Sequence, residues 1–216
     1  MIGLPLNFVN INEENQIVDF ILEAGKAAGS HFNINLGTFV PKPHTPYQWD
    51  AQLNEEVAWQ KLYYIKDKLK PKGHKVSIHS PFFSLLEGIF SRGTEKAGEL
   101  ALEAYSEGCR LDAWQEHIKI DIWKGILNNN LNIVNLITRN TVKTEKLPWS
   151  VIESGVGEKY LKNEKIKSNN NISTSVCMKL CTHKCEICSI KNKIVYNNRQ
   201  YEVEIESKSY NGMITY

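Results

Sequence analysis

Four cysteines stand close together late in the chain, at Cys177, Cys181, Cys185 and Cys188. Thiolates at such short spacing are ligands for soft metals, so this C-x3-C-x3-C-x2-C run suits an iron–sulfur cluster or zinc. Cysteines that bind no metal are the third alternative, and all three stay open here. Four thiolates would close a 4Fe–4S cluster and leave no iron for a further ligand. His183 lies inside the run and could replace one thiolate; an exposed loop residue is its simpler role. Cys109 stands alone and suits a small buried hydrophobe. Clustered cysteines fit metal binding in a reducing compartment better than a disulfide framework.

A second stretch with chemical potential runs from Gly37 to Trp49, reading GTFVPKPHTPYQW. Its prolines, Pro41, Pro43 and Pro46, fix φ and remove backbone donors, which excludes an ordinary helix or a central strand. Lys42 supplies charge, His44 an imidazole, Gln48 hydrogen bonds and Trp49 a stacking face. These four could face a substrate, or the run could be a rigid strap with Trp49 in a core. Near the start, Gly3-Leu4-Pro5 forms a turn whose glycine permits close backbone approach. Arg92 could grip a carboxylate or phosphate, or cap the helix that precedes it. Trp114, Trp123 and Trp149 suit core anchors.

The elements that must position these residues are legible in part. Ile17, Phe20, Ile21, Ala24 and Ala28 follow helical spacing, with Gly29 as the stop. Alternating Phe32, Ile34 and Leu36 predict a strand ahead of the proline-rich loop. Residues 50–165 read as mainly helical. Asp50 is the expected cap of a helix carrying Leu53, Val57, Leu62, Ile65 and Leu69, ended by Lys70-Pro71-Lys72-Gly73. Val76–His79 is a short strand candidate, and Ser80-Pro81 opens a helix through Phe90. Thr94 opens another with Leu100, Ala101, Ala104 and Tyr105 on one face and Gly108 as its stop. Asp112 opens a third, carrying Trp114, Ile118 and Ile122, broken at asparagines 128–130. Ser168–Thr174 is a polar linker. Lys193–Tyr196 and Tyr201–Ile205 alternate as the strands of a hairpin turning at Asn197–Gln200.

Composition narrows the partners. The 216 residues carry a net charge of +2, which implies no strong pull toward nucleic acid or membrane. Lysines gather at 159–167, 179–184 and 191–193, but stacking aromatics are sparse there, so a nucleic-acid partner is disfavoured. No apolar run is long enough for a bilayer span, and the N-terminus lacks a signal-peptide pattern. A cytoplasmic location is the expectation.

Several ordered segments together resemble one family. TFVPKPHTPYQW at 38–49 is similar to a signature near the end of the catalytic barrel in radical S-adenosylmethionine proteins of the cobalamin-binding-domain-containing group. Met1–Pro5 resembles the turn after a late barrel strand, and Asn12–Ala28 the helix that follows. Ser84–Gly93, Gly108–Trp114, and Leu147-Pro148-Trp149 through Gly155-Val156 continue in the family's order, with the cysteines last.

The resemblance implies an α/β chain (α+β in isolation). Residues 1–49 end a TIM-type barrel, 50–167 form a mainly helical domain, 168–192 a linker and cysteine-rich segment, and 193–216 a hairpin tail. It implies S-adenosylmethionine near Gly3, Leu4 and Pro5, although Leu6-Asn7-Phe8 departs from the family's polar continuation. Lys42, His44, Gln48 and Trp49 then face the substrate, with His79 and Glu87 as further candidates by position. The family binds its catalytic 4Fe–4S cluster several strands before the turn that here sits at Met1. The expectation is therefore a C-terminal portion that does not catalyse alone and joins a separately encoded upstream half, where cobalamin could also bind. The C-x3-C-x2-C at Cys181, Cys185 and Cys188 matches the family's catalytic ligand spacing but is followed by too little chain for a barrel. The alternative is a non-catalytic zinc or iron–sulfur module that binds a partner protein.

Overall fold

The computed structural model describes residues 1–3, 12–140 and 146–174, together with the backbone of 192–196 and 199–203. It is a mixed, mainly helical structure around a small parallel sheet. Helix α1 spans Glu13–Ala28, capped by the Asn12 side chain accepting from the Asn15 amide. It ends at Gly29, whose φ of 60° is the left-handed stop that glycine tolerates. Strand β1, Asn33–Leu36, follows, then the proline-rich segment, and helix α2, Glu55–Leu69. A 3-10 turn over Lys70–Lys72 leads through Gly73 to strand β2, Lys75–Ile78.

β1 and β2 pair in parallel, with Asn33 opposite Lys75 and Leu36 opposite Ile78. On the other edge of β1, Ile2 forms a parallel bridge with Thr38. Its amide donates to Gly37 O at 2.9 Å, and its carbonyl accepts from Phe39 N at 2.7 Å. The chain therefore runs from Ile2 through α1 to β1 and through α2 to β2, two consecutive helical crossovers between parallel segments. Ile2, Leu36, Ile34, Val76 and Ile78 pack against Val18 of α1 and Leu62, Ile65 and Leu69 of α2. The opposite face carries Asn33, Asn35, Lys75 and Ser77, all exposed.

The helical part follows. Helix α3 is Pro81–Arg92, α4 Lys96–Ser106, α5 Ile120–Asn129 and α6 Leu131–Thr138. Phe82, Leu85, Leu86 and Ile89 of α3 form one core with Ala97, Leu100 and Ala104 of α4, Trp123, Ile126 and Leu127 of α5, and Ile133 and Ile137 of α6. A third cluster joins Trp49, Leu147, Trp149 and Leu161, the last from helix α7, Glu158–Asn169. Strands β3, Asn192–Tyr196, and β4, Arg199–Val203, pair antiparallel as the expected hairpin. Arg199 and Gln200 belong to β4 rather than to its turn. Among the described residues no helix is long and apolar enough to cross a membrane.

Several expectations are corrected. The cap of α2 is Asn54, whose side chain accepts from Val57 N at 2.8 Å, and not Asp50, whose carboxylate is held by Lys165 instead. Ser80 stands at the N-cap of α3 but makes no side-chain cap bond. The buried face of α4 is Ala97, Leu100 and Ala104; Ala101 and Tyr105 point outward. No helix begins at Asp112: Asp112–Ile118 is a series of turns, and α5 starts at Ile120. Trp114 is 59% exposed and anchors no core, whereas Trp123 and Trp149 are buried. Ser168 and Asn169 complete α7 rather than opening a linker.

Candidate functional site

In parallel α/β sheets ligands gather beyond the carboxyl ends of the strands, because loops from neighbouring strands converge there. Here those ends are Gly3, Gly37 and His79. Gly3 has φ 80°, and a Cβ on it would lie 2.5 Å from the Leu53 side chain. Its amide donates to both carboxylate oxygens of Glu13, at 2.9 and 3.0 Å. That amide is thus engaged inside the chain. Leu4 and Pro5 lie outside the described residues. His79 is exposed beside Gly37, its amide donating to Leu36 O at 2.7 Å and its ring tilted against Phe83.

The proline-rich segment leaves β1, buries Val40 and Pro41, and turns back at His44, whose φ is 56°. The Thr45 hydroxyl donates to Lys42 O at 2.7 Å, and the Asp50 amide to Tyr47 O at 3.0 Å. Lys42 pairs with Glu87 of α3, both half-exposed. The two side chains that the resemblance marks separately therefore meet at the surface. The His44 imidazole makes no hydrogen bond among the described residues; its amide donates to Gln48 Oε1 at 3.0 Å.

Gln48 and Trp49 point inward. Gln48 Oε1 also accepts from Trp149 Nε1 at 2.8 Å, and Trp49 packs with Leu147, Trp149 and Leu161. Of the four expected substrate-facing residues, Lys42 is exposed, His44 is half-buried, and Gln48 and Trp49 join the core.

Arg92 explains why the segment holds this shape. Only 3% exposed, it donates to Asp50 O at 2.7 Å, Ile137 O at 3.2 Å and Gln48 O at 3.4 Å. It caps no turn of its own helix. It ties the segment to the end of α6. Burial pushes its pKa down to about 10, partly offset by the Asp50 charge, so it stays protonated at neutral pH. The Asp50 carboxylate pairs with Lys165 of α7 at 2.8 Å. Lys165 also lies 4.5 Å from the centre of the Tyr47 ring.

Sequence reasoning missed Gln52. It is buried, with Nε2 donating to Ser84 O at 2.6 Å and its amide donating to Ile137 O at 3.0 Å. The available signal was Gly88, a glycine inside an apolar helix. A Cβ there would sit 2.1 Å from Gln52 Oε1.

Cys109 is buried as expected, and burial, then the nearby Asp112 charge, push its thiol pKa up. Among the described residues no group of three or more His, Cys, Asp or Glu side chains could hold a metal ion. Cys177, Cys181, Cys185 and Cys188, with His183, lie outside them. No family model, curated protein or solved structure matches this chain.

Proposed function

We propose that this chain is the C-terminal portion of a radical S-adenosylmethionine iron–sulfur enzyme. It contributes the last strands of a parallel barrel and a helical domain, while the catalytic cluster is held by an upstream half. The observation that carries this proposal is the sheet. Ile2, β1 and β2 run parallel through two helical crossovers. Parallel sheets are ordinarily covered on both faces. This one is covered by α1 and α2 on its apolar face and is polar and exposed on the other, through Asn33, Asn35, Lys75 and Ser77. A polar inner face beside a parallel edge suits the wall of a substrate-bearing barrel. Lys42, Glu87, His44 and His79 then stand near the carboxyl ends of its strands.

Cys177, Cys181, Cys185 and Cys188 bind a soft metal as four thiolates, a closed 4Fe–4S cluster or zinc. Anaerobic reconstitution with iron and sulfide, followed by metal analysis and EPR, tests both parts. The expected result is a metal site lost on replacing these cysteines, with no 5′-deoxyadenosine formed from S-adenosylmethionine by the chain alone. Cleavage by the chain alone would overturn the need for an upstream half. Absence of metal would remove the cysteine site.

A second proposal, a non-catalytic metal module that binds a partner protein, is favoured by the burial of Gln48 and Trp49. Those side chains serve cohesion between elements rather than a ligand.

A further inference from the structure

Away from the sheet, the N-terminal end of α2 and helices α3, α5 and α6 enclose a cleft of about 340 Å³. That size falls within the range of roughly 300–1,000 Å³ typical of small-molecule sites. Phe82, Leu85, Leu127 and Val134 line it with apolar surface. Glu55 and Lys124 also line it and carry opposite charges, with Lys124 Nζ 3.6 Å from Glu55 Oε1. Lys124 Nζ also sits 5.6 Å from the centre of the Phe82 ring, so the cation lies directly beside the apolar wall.

We infer that this cleft binds a free α-amino acid with an apolar side chain. Charge complementarity selects the class. A ligand with one charge would separate Glu55 from Lys124, satisfy one and leave the other without its counter-ion. An α-amino acid carries both charges on neighbouring atoms. It offers its ammonium to Glu55 and its carboxylate to Lys124 together, and its side chain replaces water against Leu131 and Val134, the solvent-facing part of the apolar lining. A wholly apolar ligand would leave that ion pair as it is and gain nothing from it. Half-exposed charges at the edge make the recognition one of moderate affinity.

Titration of the 15N-labelled full chain with L-leucine, followed by NMR, tests the inference. The controls are 4-methylpentanoic acid, which lacks the ammonium, and isopentylamine, which lacks the carboxylate. L-leucine is expected to shift the resonances of Glu55 and Asn128 and to bind each control's site at least roughly fivefold more tightly than the control does. Lys124→Met, at an exposed position, is expected to weaken L-leucine by a similar factor while tightening isopentylamine, whose ammonium no longer displaces Lys124 from Glu55. Three results would overturn the inference: no shift at these positions up to about 10 mM, shifts centred elsewhere, or a single-charge control that binds as well as L-leucine.

Discussion

Arg92 is the residue on which the packing of the proline-rich segment turns. Its guanidinium serves three backbone carbonyls from two segments, and it is itself buried. Arg92→Met, which keeps most of the apolar stem, is expected to destabilise the chain by about 3 kcal/mol, measured by urea unfolding. Its folded-state pKa of about 10 lies below the ordinary guanidinium value, so unfolding takes up a proton only above about pH 10. Stability linked to Arg92 therefore rises with pH there and is flat below it. Glu14 gives a dependence of the same sign at acid pH, from a different cause. Burial alone would raise its pKa, but the Lys61 hydrogen bond and charge outweigh burial and hold it below the ordinary 4.5. The stability it contributes is complete above 4.5 and is lost as pH falls through the lower folded value. Acid unfolding of Glu14→Gln should show a shallower loss of stability below pH 4.5 than the parent chain.

At the level of elements, caps and close approaches decide what the sequence could show. Gly29 and Gly73 stop their elements where the pattern ends, because φ of 60° and 89° is a backbone property that glycine announces. The start of α2 was less legible. Asp50 and Asn54 are both competent caps, and a tertiary ion pair with Lys165 takes Asp50 away. Asn54→Ala should therefore cost about 1 kcal/mol in thermal or urea unfolding, the usual value of a lost N-cap. Trp114 and Trp123 look alike in sequence, yet only Trp123 is buried, its Nε1 donating to Asp112 Oδ2 at 3.1 Å. Local spacing does not reveal which face a neighbouring helix will cover. Gly88 shows the reverse case, a residue whose type records a tertiary contact. Gly88→Ala would drive a methyl into Gln52 Oε1 and is expected to destabilise by about 1–3 kcal/mol despite the better helix propensity of alanine.

Across the whole molecule, the parallel arrangement was legible as helix-then-strand order. The inward turn of Gln48 and Trp49 was not, because it depends on Arg92 and Trp149, which lie 44 and 101 residues away from Gln48. The exposed polar face of the sheet borders a groove of about 360 Å³ lined by Asn33, Asn35, Lys75 and Ser77 among others. Lys75 has no counter-ion among the described residues. A sheet of two short strands and a one-residue bridge buries little by itself, so its stability rests on α1 and α2. The most direct measurement is hydrogen exchange at Asn33–Leu36 and Lys75–Ile78, comparing the recombinant chain alone with the same chain isolated under native conditions from its natural source. Completion of the barrel predicts slow exchange at both strands in the native preparation and fast exchange in the chain alone. Equal exchange in the two preparations, with the native chain monomeric, would contradict it.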